Sequence, residues 1–115
     1  MRNFLTLAAL SGFLAVGFGA FGAHGVSDPK AAEWLRTGAQ YQMIHALAVF
    51  ACAVVGGRMR WAPALFLVGS ALFAGSLYAM ALGGPRILGA VTPLGGLCFL
   101  AGWLLLARAA WKTAR

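Results

Sequence analysis

The stretch Ala62–Leu82 reads APALFLVGSALFAGSLYAMAL. It holds no charge, and its only polar side chains are Ser70, Ser76 and Tyr78. A helix needs about 20 mostly apolar residues to cross the ~30 Å hydrocarbon core of a bilayer. This stretch is long enough. It is bounded by Arg58 and Arg60 before it and by the helix-breaking Gly83-Gly84-Pro85 after it. Read this way, it is a membrane-spanning helix.

The same reading extends outward. Residues about 4–22, 40–56 and 87–107 are also long apolar runs, and the second lengthens if helix continues upstream through Thr37–Gln40. The chain is therefore expected to be an all-α membrane protein, one domain over 1–115, built as a four-transmembrane-helix bundle. Composition agrees: 62% of the 115 residues are hydrophobic and 10% are charged. A soluble domain is nearer half apolar and a quarter charged. Met1–Ala23 also has the look of a secretory signal, with Arg2 as its charged region. Its apolar run exceeds the ~7–15 residues usual for a signal core, which favours a retained helix.

Nine Lys or Arg against two acids give a net charge of +7. The cations lie in ones and twos between apolar runs, so they read as topology signals and no nucleic-acid partner is expected. Arg2, Arg58, Arg60, Arg108, Lys112 and Arg115 fall on one side, and Lys30, Arg36 and Arg86 on the other. The positive-inside rule then places both termini in the cytoplasm of a bacterial inner membrane. Trp61 and Trp111 would sit at the inner interface and Trp34 at the outer one. Asp28-Pro29 is a helix start, with Asp as cap and Pro in the first turn. Residues about 28–38 are expected to form a short amphipathic helix on the outer surface; a plain loop is the alternative. The tight connection Gly56–Trp61 makes the second and third spans antiparallel neighbours.

Small residues recur four apart at Ala15/Gly19, Ala71/Gly75/Ala79 and Cys98/Gly102. In lipid such ridges let helix backbones approach closely. They point to packing within the bundle. The second reading is a contact to a homo-oligomer or a larger membrane complex. Cys52 and Cys98 read as buried thiols, with no zinc-type spacing.

The polar residues carry most information. With the topology above, His24 ends the first span on the outer side. Gln40, Tyr41, Gln42 and His45 open the second, Ser76 and Tyr78 lie near the outer end of the third, and Thr92 near the outer start of the fourth. All four helices thus bring polar groups to one outer layer. Thr6, Ser11 and Ser70 lie deeper. His45 would sit about 7 Å below the start of its helix at 1.5 Å per residue, with Tyr78, Ser76 or Thr92 as partners. An ionisable group inside a span is by default a functional hypothesis. Two readings stand side by side: an interhelical hydrogen-bond network that fixes helix order, and a pocket for a small molecule, lipid headgroup or metal.

Four blocks now become recognisable: Gly19–Gly25, Trp34–Ala48, Leu72–Gly84, and Thr92–Gly96 followed by Gly102-Trp103. In order and over nearly the whole chain, they resemble the domain-of-unknown-function 423 family of small bacterial inner-membrane proteins, related to eukaryotic transmembrane protein 256. The resemblance implies a multi-pass membrane protein and carries no catalytic or binding residues with it. The polar layer lies inside these blocks. At position 74, where the resemblance leads one to expect Ser, this chain has Ala.

No enzyme is expected, because no deep acid accompanies His24 or His45 and no nucleophile–base order is present. No cofactor is expected either. Ligation of haem or a metal by His24 and His45 is one alternative, though two histidines alone make a poor zinc site. A transporter or channel subunit is another; the inner half of one protomer offers little of a continuous polar path, though an oligomer could build a pore between subunits. The favoured function is a structural, interaction or small-ligand and lipid-binding role in the bilayer.

Overall fold

The computed structural model describes residues 1–56 and 59–113. Gly57 and two of the cations used to orient the chain, Arg58 and Arg115, lie outside the described residues. So does part of the connection Gly56–Trp61. Four long helices carry the fold: α1 (Arg2–His24), α2 (Pro29–Val55), α3 (Trp61–Ala81) and α4 (Thr92–Thr113). A 3-10 segment at Arg86–Ala90 precedes α4. All four helical stretches are long and apolar enough to cross a membrane, so the four-helix expectation holds. The fourth helical stretch runs over Arg86–Thr113, with its first turns 3-10 and regular α-helix from Thr92. Gly83 has φ 103°, a left-handed conformation that suits glycine and ends α3.

The expected separate helix over 28–38 is corrected. Its start is right: Asp28 is extended, its carboxylate accepts from the Lys30 N–H at 3.3 Å, and Pro29 occupies the first turn. It does not end at 38. The same helix runs on to Val55, because nothing between Thr37 and Tyr41 breaks it and Gly38 is held by close packing. A helix of 27 residues is about 40 Å long at 1.5 Å per residue, beyond the ~30 Å apolar core. The charged first turns therefore extend out of the core along the same axis.

Each helix packs mainly on the next in sequence. Contacts of α1 with α3 and of α2 with α4 are slight, and α1 does not meet α4 among the described residues. The result is a staggered row, with α2 and α3 central. Only 11% of the most apolar window of α1 is buried, against 44% in α2 and α3. The row leaves two crevices, one between α1 and α3, the other between α2 and α4.

Glycine sets the closeness of the contacts. Along α1, a Cβ at Gly22 would come 2.8 Å from the Leu35 Cβ, and one at Gly19 would come 3.3 Å from the Ala39 Cβ. Ala15 is buried on the same face, so the Ala15/Gly19 ridge faces α2 as expected. Between α3 and α4 the fit is reciprocal. Phe99 fills the space over Gly69, Phe66 fills the space over Gly102, and a Cβ at Gly95 would come 2.5 Å from the Phe73 nitrogen. The working face of α4 is thus Gly95/Phe99/Gly102; Cys98 is half-buried beside it. Ala71 and Gly75 face outward, and a Cβ at Gly75 would meet nothing within 4 Å. Both line the α1–α3 crevice. Two apolar clusters form the core, one around Val49, Phe66 and Phe99, the other around Leu35, Ala74 and Tyr78. Exposed Phe13, Val54, Ile87 and Leu104 show the outer surface to be apolar, as lipid requires.

Candidate functional site

Packed against the two apolar clusters is a set of buried polar side chains. Gln42 stands at the midpoint of α2 and is 7% exposed. Its Nε2 donates to Ser11 Oγ of α1 at 3.0 Å, and its Oε1 accepts from the Tyr78 hydroxyl of α3 at 2.6 Å. The Tyr78 ring is fixed from both sides. Phe18 stacks on it with centroids 4.0 Å apart, and Gly38 leaves room where a Cβ would lie 2.7 Å from Cε1. One amide therefore links three helices, with both of its ends satisfied.

His45, one turn further along α2 and 4% exposed, forms a second link. The indole N–H of Trp103 donates to its Nε2 at 3.0 Å. An indole nitrogen can only donate, so Nε2 must be bare. The neutral ring then carries its proton on Nδ1, which lies 2.7 Å from the Tyr41 carbonyl oxygen and donates to it. Phe99 stacks flat on the imidazole at 3.5 Å, with 6° between planes. Both ring nitrogens are committed within the protein, which leaves no lone pair for a metal or haem iron and no free base for proton transfer.

A third link joins α3 to α4. Ser76 Oγ and Thr92 Oγ1 lie 2.5 Å apart, and Ser76 also donates to the Phe73 carbonyl at 3.0 Å.

The polar residues read from the sequence thus separate. Gln42, His45, Tyr78, Ser76 and Thr92 are tied across helices, but in three groups. His45 meets Trp103 and none of the three partners expected for it. The layer around Gln42 and His45 lies at mid-bundle, because α2 begins at Pro29 and not near residue 40. His24 is exposed at the end of α1. By the antiparallel register of α1 on α2, it stands about 20 Å along the axis from the level of His45, so the two histidines do not face each other. Gln40 is exposed. Tyr41 contributes its carbonyl and a ring parallel to His45, centroids 6.2 Å apart. No cluster of three or more metal-ligating side chains occurs among the described residues. Trp103 and Ser11 were not placed in the layer from sequence. The signal for Trp103 was a tryptophan in mid-span, away from either interface.

Two grooves flank these links. The α2–α4 crevice, about 690 Å³, is walled by Tyr41, Phe73, Phe99, Leu100 and Trp103, with His45 in its floor and Gly96 on its rim. The α1–α3 crevice, about 380 Å³, runs past Gln42, Ser70, Ala71 and Gly75. Ser70 Oγ is buried there with no hydrogen-bond partner.

Comparison with known proteins gives a consistent result. The family model described as "Protein of unknown function (DUF423)" matches residues 18–96. A UPF0382 membrane protein of Haemophilus influenzae is 45% identical over 98% of each chain. The UPF0382 inner membrane protein YgdD of Escherichia coli K12 is 43% identical over 91% of this chain and 86% of its own. A UPF0382 membrane protein of Staphylococcus saprophyticus is 40% identical over 97% of this chain and 99% of its own. No solved structure matches. The buried polar links thus sit within a match that covers most of the sequence, and the chain belongs to the DUF423 family of membrane proteins.

Proposed function

We propose that this protein is a multi-pass inner-membrane protein, with both termini cytoplasmic, that binds a lipid chain or another small apolar molecule in the α2–α4 groove. The observation that carries the reading is the groove itself. It is about 690 Å³, within the size range of small-molecule sites, and it combines an aromatic wall with a few fixed polar groups. Tyr41, Phe73 and Phe99 offer flat apolar surface at mid-bundle, where a hydrocarbon or ring system would lie. His45 and Trp103 satisfy each other, so they shape the floor and do not catalyse. The buried polar side chains hold the helices at the spacing that keeps the groove open. Two readings lose support on the same geometry. Ligation through both histidines needs rings that face each other, and a transporter needs a polar path, whereas the groove walls are apolar.

Gly96 provides the test. A Cβ at this position meets nothing within 4 Å, so Gly96→Phe introduces a ring at the groove from an uncrowded backbone position. Native mass spectrometry of protein released from its membrane in mild detergent should show a retained apolar adduct. Gly96→Phe should lose it while thermal stability stays within about 0.5 kcal/mol, as for a surface substitution. An adduct of unchanged mass and occupancy in Gly96→Phe would refute the assignment to this groove.

A further inference from the structure

A different cavity lies at the end of the bundle where α3 begins and α4 ends. Its volume is about 450 Å³, and Arg60, Arg108 and Lys112, all exposed, are among the residues that line it. Trp61, Ala62 and Leu105 form an apolar wall beside them. The cations are held by the helices. Arg60 places its guanidinium 5.3 Å from the Trp61 ring centroid, a cation–π contact. Arg108 and Lys112 are four apart on one face of α4, where like charges repel. The chain has two acidic side chains, Asp28 and Glu33, and both stand at the opposite end of the bundle, at the cap and in the second turn of α2. Neither acidic side chain stands at this end of the bundle, and the three exposed cations suit an anion supplied by the bilayer.

We infer that Arg60, Arg108 and Lys112 form a binding site for the phosphate headgroup of an anionic membrane lipid. Guanidinium groups match phosphate oxygens in a two-pronged geometry. Basic pockets between membrane helices at a bilayer surface are suited to such headgroups. The apolar wall gives the glycerol and upper acyl chain a surface that a free phosphate ion would not use. This site is separate from the α2–α4 groove and does not rest on it. It goes beyond a topology signal, because topology requires cations near the membrane surface but not that three of them line one cavity.

The test uses full-length protein in phosphatidylcholine vesicles with a minor fraction of phosphatidylglycerol. Lipid retained on release into mild detergent is identified by native mass spectrometry. The unaltered protein should retain phosphatidylglycerol in preference to phosphatidylcholine. Each cation near a membrane surface contributes about fivefold, so Arg60→Gln/Arg108→Gln/Lys112→Gln should weaken that retention about a hundredfold. Lys30→Gln/Arg36→Gln/Arg86→Gln removes the same charge from the other end and should leave it unchanged. Should the triple variant lose its helical circular dichroism, Arg108→Gln alone decides, with about a fivefold loss expected. Excess inorganic phosphate or glycerol phosphate should not displace the lipid; displacement would reassign the site to soluble anions. No preference in the unaltered protein, or equal loss in both triple variants, would overturn the inference.

Discussion

At position 70 a serine hydroxyl is buried in the α1–α3 crevice with no partner, its residue 3% exposed. Its neighbours show what the position lacks. Ser11, Ser76 and Thr92 each reach a side chain on another helix. A buried hydroxyl without a bond costs its desolvation and returns nothing. Ser70→Ala should therefore raise thermal stability in detergent, by about 1 kcal/mol. A loss of stability of that size would mean that the hydroxyl has a partner in the membrane. Residue identity alone could not sort these serines. Ser70 and Ser76 sit in the same apolar stretch, and which one finds a bond depends on where Thr92 stands in α4. His45 makes the same point. Its burial inside a span was legible from the surrounding apolar run, but its partner was not, since Trp103 lies 58 positions away in sequence and carries no polar signature in an apolar helix.

Among the elements, α2 is where sequence and structure part. The number of helices, the Asp28-Pro29 start and the Gly83-Gly84-Pro85 stop follow from local chemistry and were legible. The length of α2 was not, because Lys30, Glu33 and Arg36 look like an interfacial segment when hydropathy alone is read. What keeps the helix straight through this region is tertiary: Leu35 and Ala39 pack on the glycines of α1, and Gly38 packs on Tyr78. That one difference moved His45 and Gln42 from the outer edge to mid-bundle. Spin labels at Glu33 and Val54, both exposed, in a background with Cys52→Ala and Cys98→Ala, should lie about 31 Å apart along one continuous helix. A bend near residue 39 that laid the first turns flat would bring them to roughly 24 Å.

Across the whole molecule, every buried polar side chain described except Ser70 is engaged in a hydrogen bond within the fold. Ser11 of α1, Gln42 and His45 of α2, Tyr78 of α3 and Trp103 of α4 link all four helices through two adjacent turns of α2, against the two apolar clusters. Interhelical hydrogen bonds in membranes are worth about 0.6 kcal/mol each on average, so their effect is less on total stability than on which helix faces which. Close glycine–phenylalanine contacts supply the packing, and the slight diagonal contacts leave the grooves. A substrate-poised site would instead leave at least one ring nitrogen or amide free. The most direct test is the ¹⁵N spectrum of the His45 imidazole in lipid bilayers, with His24→Gln to leave a single histidine signal. The account predicts the neutral ring with its proton on Nδ1 and a hydrogen-bonded, unprotonated Nε2. A ring carrying its proton on Nε2 would contradict it, because Trp103 could then not donate to His45 and the link between α2 and α4 would not exist.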